Sequence, residues 1–254
     1  MEALRVEGLS KDFGGVHAVR DVSFKVAAGE HLAIIGPNGA GKTTLFNLLC
    51  GQLSPSAGRV FFFGQDITNL PDYSRTHLGM ARSFQIASLF LELSVLKNTM
   101  LALQGIRPSR FQMFRPAVSY KDLLAKAEKL LGSMNLWEKR NEPVHAISYG
   151  EQRKLEMALS LASEPKLLLL DEPSSGLTAA ESADIISRIR NLGTNITVVL
   201  VAHDMDLVFG VAQRIIVLHY GETICEGTCE QIRSDAKVKE IYMGTEEISA
   251  KCSS

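Results

Sequence analysis

The chain has 254 residues, of which 46% are hydrophobic, with 27 Lys and Arg against 28 Asp and Glu. A globular chain of this size hides roughly 70–75% of its unfolded surface, and its near-zero net charge gives no basic field to attract nucleic acid. No apolar run approaches the ~18 residues of a membrane span, and residues 1–5 lack the basic and apolar regions of a secretion signal.

The first segment reads as β-rich. Residues 4–9 and 22–26 are expected strands, with Gly8, Gly14-Gly15 and Gly29 as turns. Phe13 precedes a Gly-rich turn and can stack on a purine ring, although a lone Phe is read first as core packing. Residues 31–35 form a short apolar run bounded by glycine, a buried strand. Gly36-Pro37-Asn38-Gly39-Ala40-Gly41-Lys42-Thr43 follows and fits G-x-x-x-x-G-K-[ST] at every fixed position. Leu45, Leu48 and Leu49 then fall on one helical face over residues 43–50. Strand, Gly-rich turn and helix are the context that a phosphate-binding loop requires. Backbone N–H groups and the helix N-terminus face the phosphates, Lys42 reaches the terminal ones, and the Thr43 hydroxyl holds Mg²⁺.

Residues 59–63 are a further strand. Gln85 follows Arg82-Ser83-Phe84; a lone Gln is normally a surface residue, but here its amide can ligate Mg²⁺ or water and report on the γ-phosphate. From Val95 the pattern turns helical, with Ser94 as cap and Leu96, Met100 and Leu103 on one face. Residues 105–117 form a loop containing Pro108, Pro116, Arg107, Arg110 and Arg115. Ser119-x-x-Asp122 reads as a capping box, followed by a helical stripe of Leu123, Leu124, Ala127, Leu130, Leu131 and Met134.

Ser148-Tyr149-Gly150-Glu151-Gln152 precedes a helix over residues 153–161. Ser148-x-x-Glu151 is a capping box, yet a Ser hydroxyl, a Gly N–H and a helix N-terminus also make an anion site. The two readings are compatible. Residues 167–170 and 196–202 are strands buried on both faces, alternating with helices over 179–192 and 205–212. Asp171 closes the first strand and can bind Mg²⁺ through water; Glu172 beside it can act as general base. By itself His203 reads first as a structural histidine, but it follows the second strand, which would place it near the terminal phosphate. Residues 215–218 and 222–226 flank Tyr220-Gly221 as a hairpin. Cys50, Cys225, Cys229 and Cys252 form no C-x₂-C pair, so reduced thiols in a cytoplasmic protein are expected. Residues 245–254 read as a polar, mobile tail.

Together these pieces resemble the ATP-binding subunit of an ABC transporter, with six parts in the family's order along nearly the whole chain. Phe13 sits where the adenine-stacking aromatic falls. Gly36, Pro37, Asn38, Gly39, Ala40, Gly41, Lys42, Thr43 and Thr44 match Walker A. Gln85 matches the Q-loop, residues 147–152 the signature, residues 167–172 Walker B with its catalytic glutamate, and His203 the switch histidine. The signature departs from LSGGQ at Ile147, Tyr149 and Glu151 but keeps Ser148 and Gly150. Thr178 stands where many relatives carry the D-loop Asp, and it is not assigned that residue's cross-dimer role.

The resemblance implies an α/β fold: a P-loop NTPase core with a mostly parallel central sheet, an N-terminal antiparallel β subdomain and an inserted α-helical subdomain. The whole chain is one ATPase domain, with residues 1–84 and 164–254 as core and 85–163 as the helical signature part. It implies ATP and Mg²⁺ as ligands, with Thr43, Gln85 and Asp171 at the metal. Lys42, Gln85, Glu172 and His203 are the catalytic set. Partners are membrane permease subunits docking near residues 85–103, a second ATPase subunit packed head to tail, and indirectly an extracytoplasmic solute-binding protein. The chain would lie peripherally on the cytoplasmic face of the inner membrane. Phe13-Gly14-Gly15, Arg82-Ser83-Phe84-Gln85 and the Ser148-Tyr149-Gly150 signature are most similar to branched-chain amino acid importers. Urea, amide and lipopolysaccharide-export ATPases share much of this, and an assembly-type ABC ATPase is the alternative outside transport. A P-loop kinase or GTPase leaves the signature and His203 unexplained, and no N-K-x-D guanine motif occurs.

Overall fold

The computed structural model describes residues 1–83, 89–105 and 121–243. β1 (Glu2–Phe13) and β2 (Val16–Ala27) pair antiparallel through the two-residue turn Gly14-Gly15. β2 buries Val22, Phe24 and Val26 and exposes the residues between them, the period-2 pattern of a half-buried strand. Both strands outrun the apolar stretches that reveal them in the sequence, because pairing carries their exposed ends. After the helix α1 (Lys42–Cys50) come β4 (Ala57–Phe62) and β5 (Gln65–Asp66), which complete an antiparallel sheet of order β2-β1-β4-β5. Gly8 is not a turn. It lies inside β1 at φ 57, where the register to β4 slips, and a Cβ on Gly58 of β4 would fall 2.3 Å from its carbonyl oxygen. The pair forms a β-bulge.

The second sheet contains β3 (His31–Ile35), β6 (Met80–Arg82), β7 (Leu167–Asp171), β8 (Thr197–Val201), β9 (Arg214–His219) and β10 (Glu222–Gly227). Its order is β10-β9-β3-β8-β7-β6, with every pairing parallel except β9–β10. β3 and β8 are buried at every residue, so both faces of the sheet are covered. Along β7 the side chains alternate between two cores. Leu167 and Leu169 join α1 and the antiparallel sheet, while Leu168 and Leu170 join the core on the opposite face.

Seven of the remaining helices follow in order: α2 (Asp72–Leu78), α3 (Val95–Gly105), α4 (Lys121–Ser133), α5 (Tyr149–Leu161), α6 (Ala179–Arg190), α7 (Met205–Val211) and α8 (Cys229–Ser234), with α9 (Ala236–Met243) last. Leu103 of α3, Leu123 and Ala127 of α4, and Ala162 after α5 share a small cluster of their own. α5 begins at Tyr149, directly after its cap, rather than at residue 153 as the sequence suggested. α2, β6, α8 and α9 carry no apolar periodicity long enough to be read in advance. Among the described residues no helix is long and apolar enough to cross a membrane.

Arg75 of α2 is only 2% exposed. Its guanidinium donates to the carbonyls of Leu48 (2.8 Å), Leu49 (2.7 Å), Leu70 (2.8 Å) and Thr68 (3.0 Å). It thereby gives the Leu49 carbonyl at the end of α1 a partner and adds to the bond that the Leu48 carbonyl accepts from Gly51 N. Arg75→Ala removes all four guanidinium bonds from a buried site and is expected to lower the unfolding free energy by about 3 kcal/mol. Urea denaturation measures this, and a loss below about 1 kcal/mol would mean that water replaces the guanidinium.

Candidate functional site

The phosphate-loop sequence sits between β3 and α1. Gly41 adopts φ 95, and a Cβ there would fall 2.3 Å from the Ala18 carbonyl oxygen of β2. No larger residue fits without displacing that strand. Lys42 opens α1, is 8% exposed, and donates from Nζ to the carbonyls of Gly36 (2.6 Å) and Pro37 (3.0 Å). Burial lowers its pKa, while the carboxylates of Glu172 and Asp171 work in the opposite direction. No side chain caps α1 at Gly41, and its first turn holds no acid. An uncapped helix N-terminus beside a buried ammonium held by neutral carbonyls is chemically complementary to an anion.

A cleft of about 450 Å³ opens over this loop. Asn38 to Thr44 line it together with Glu172, with Val16, His17, Ala18 and Arg20 of β2, and with Tyr220 of the β9–β10 turn. Phe13 is 47% exposed, so it is not a core residue; it lies near Lys11, whose Nζ is 5.2 Å from the ring centroid, and is absent from the cleft's lining.

Strand pairing explains the acidic end of the site. β7 and β8 are neighbours with Asp171 opposite Val201, so the residues that follow each strand emerge side by side. Glu172 turns into the left-handed region at φ 46, and its N–H donates to the Val201 carbonyl at 2.8 Å. Its Oε1 then lies 3.4 Å from Nδ1 of His203, with the side chains 44% and 57% exposed. A non-glycine residue held in this region is a strained placement of the kind found at functional sites. Asp171 pairs with Arg82 at 2.8 Å, the side chains being 12% and 16% exposed.

Arg82 is the residue that sequence reasoning passed over. It also donates to Asn47 Oδ1 (2.8 Å) and Gln52 Oε1 (2.6 Å) and lies over the Phe46 ring. Its significance depends on the pairing of the three-residue strand β6 with β7, which no local pattern announces. Gln85 lies outside the described residues. Among those described, no group of three or more His, Cys, Asp or Glu could hold a metal by itself. A divalent cation here would depend on the Thr43 hydroxyl, the Asp171 carboxylate and phosphate oxygens. Hard oxygen donors of that kind, few from protein and the rest from phosphate, suit Mg²⁺.

Ser148 caps α5 as expected. Its Oγ accepts from Glu151 N at 3.3 Å, and Glu151 Oε2 accepts from Ser148 N at 2.9 Å. Glu151, a departure from the usual Gln, also pairs with Lys139 at 2.7 Å. Burial acts against its charge, but hydrogen bonds from Lys139 and Ser148 hold its pKa below the ordinary value. A Cβ on Gly150 would lie 2.2 Å from Glu181 Oε1 of α6, so a larger residue here would require the Glu181 side chain to move. The Tyr149 hydroxyl donates to the Ser175 carbonyl at 3.3 Å, tying the signature to the segment after β7. Thr178 caps α6 through a second capping box with Glu181. Neither Ser148 nor Gly150 lines the cleft over the chain's own phosphate loop.

Farther along α5, Glu156 is 5% exposed, and burial pushes its pKa up to about 7 despite Arg153 at 3.0 Å. The folded protein therefore binds this proton more tightly than the unfolded chain, whose carboxyl stays near 4.5. The stabilisation is complete below that pH and is lost as pH rises toward about 7. Glu156→Gln should flatten the dependence of Tm on pH across this window, and an unchanged slope would assign it to other groups.

Residues 19–175 match the ABC transporter family. Over 248 residues the chain is 37% identical to the high-affinity branched-chain amino acid transport ATP-binding protein BraF of Pseudomonas aeruginosa, covering 95% of this chain and 97% of BraF. It is 33% identical over 244 residues to the lipopolysaccharide export system ATP-binding protein LptB of Acidithiobacillus ferridurans, covering 96% and 97%. Among solved structures, a nucleotide-free ATP-binding cassette from an ABC transporter superposes with a TM-score of 0.84 at 32% identity, over 95% of this chain and 99% of that one. A dimeric ATP-binding cassette in a post-hydrolysis state, bound to ADP and Pi, gives a TM-score of 0.76 at 26% identity, over 89% and 98%.

Proposed function

Because this chain belongs to the ABC transporter family, we propose that it is the ATP-hydrolysing subunit of an importer for branched-chain or similar amino acids. The likeness to BraF along 95% of the chain supports the substrate class. The single observation supporting the chemistry is the Glu172–His203 pair at the ends of adjacent strands, with Glu172 lining the cleft over Lys42.

The α1 N-terminus and the Lys42 ammonium bind the terminal phosphates of ATP. Thr43 and Asp171, with Gln85, would hold Mg²⁺, which when bound neutralises charge on the transferring phosphoryl group. Arg82 fixes the Asp171 carboxylate from one side. Glu172 takes the proton of the attacking water, and His203 orients the glutamate and water. Ser148 and Gly150 face a second nucleotide. They lie outside their own cleft, on a capped helix N-terminus, and a cassette similar to this one is dimeric with ADP and Pi. Two such subunits, identical or sister chains, pack head to tail, so ATP joins them and hydrolysis releases them.

Permease docking involves Phe90 and Leu91, which are 60% and 44% exposed, at the cytoplasmic face of the membrane. Leu89, which lies in the same 85–103 stretch, is 7% exposed and packs in the chain's own core. Affinity purification of the full chain from native membranes, with mass spectrometry, tests the transport reading. Recovery of a permease pair, a sister ATPase and an amino-acid-binding protein supports import. Recovery of lipopolysaccharide-export components, or of soluble partners alone, overturns it.

A further inference from the structure

Two hairpins of this fold close through turns of the same kind. Phe63-Gly64 joins β4 to β5 with φ 46 and 82, and Tyr220-Gly221 joins β9 to β10 with φ 47 and 81. Two-residue turns with both φ positive favour Asn-Gly or Asp-Gly, and an aromatic in the first position carries strain. For Phe63 the fold supplies a reason, because its ring packs edge-on against Phe62 at 4.9 Å and against the core beneath. Among the described residues Tyr220 has no such packing. It is 76% exposed, and the ring contact found for it is His219 at 4.2 Å.

The turn is nonetheless fixed in place. Gly221 N donates to the Ala40 carbonyl of the phosphate loop at 3.0 Å, and Arg20 N of β2 donates to the Gly221 carbonyl at 2.8 Å. Arg20 also pairs with Glu222 at 3.0 Å. The turn that carries the exposed ring is therefore fastened on both sides to the walls of the cleft that Tyr220 lines, beside Val16 and Ala18. A strained, exposed aromatic on a fixed turn at a binding cleft indicates a ligand-facing role.

We propose that Tyr220 contacts the nucleoside of the bound nucleotide, its ring forming an apolar wall for the base and ribose. This rests on the reading of the cleft as the ATP site. The phosphate loop grips the triphosphate through charge and backbone N–H groups. Tyr220 adds affinity that only a nucleoside can use, by ring stacking or face contact.

The test uses the full chain, with ATP and inorganic tripolyphosphate as calorimetric probes. Tyr220→Asn places the residue preferred by the turn, so its Tm should equal or exceed that of the parent. Its Kd for ATP should rise roughly three- to tenfold, while its Kd for tripolyphosphate stays unchanged. Tyr220→Phe should keep parental ATP affinity. Unchanged ATP affinity in Tyr220→Asn, or equal losses for both probes, overturns the proposal. Lys42→Ala separates the two readings. If it weakens ATP binding and Tyr220→Asn does not, only the role of Tyr220 fails. If Lys42→Ala binds ATP as the parent does, the ATP site itself has been misplaced.

Discussion

Glu172→Gln is expected to bind ATP at least as tightly as the parent and to hydrolyse it 10²- to 10⁴-fold more slowly, the usual contribution of a positioned general base. The position of the side chain comes from the backbone, not from the carboxylate. Glu172 is turned by its φ of 46 and by the N–H bond to Val201, and neither depends on charge. Gln therefore occupies the same place beside His203, but it cannot accept the proton of the attacking water. Removing a negative charge beside Lys42 also removes repulsion of the γ-phosphate, so binding should not weaken. Single-turnover hydrolysis and equilibrium binding measured on one preparation separate the two effects. Parental turnover by Glu172→Gln would end the assignment of Glu172 as base.

Legibility in the sequence followed the range of the interactions. Local devices could be read directly. The glycines of the phosphate loop, the Ser148-x-x-Glu151 capping box and the doubly buried strands around Leu167 and Val198 each act over a few residues, and each is present. Long-range devices could not. That β8 separates β3 from β7 decides that His203 meets Glu172, and sheet order has no local signature. Arg75 reads as a surface charge until α2 is seen folded against the end of α1. Gly8 reads as a turn because the bulge that uses its positive φ needs the partner strand β4. Leu89 and Phe90 look alike in sequence, and only packing separates the buried residue from the exposed one. Thr178, at a position where Asp is common in the family, keeps a function that either residue can perform, because both cap helix N-termini well.

Lys42→Ala should raise the Kd for ATP at least roughly thirtyfold while changing the unfolding free energy by no more than about 1 kcal/mol. The asymmetry follows from the surroundings of the ammonium. It is 8% exposed and its hydrogen-bond partners are two neutral carbonyls, so burial costs are offset only in part by the carboxylates of Glu172 and Asp171. Removing it forfeits two charged hydrogen bonds but also relieves a desolvated cation, and these terms oppose each other in the fold. Binding has no such cancellation. A triphosphate entering the variant's site meets the same helix N-terminus but lacks the buried Lys42 ammonium, and its own desolvation goes uncompensated. Calorimetric titration beside a denaturation curve reads both quantities. An ATP affinity within threefold of the parent would place the ATP site elsewhere on the chain. A loss of stability well above 1 kcal/mol would instead make Lys42 a structural clamp for the Gly36 and Pro37 carbonyls.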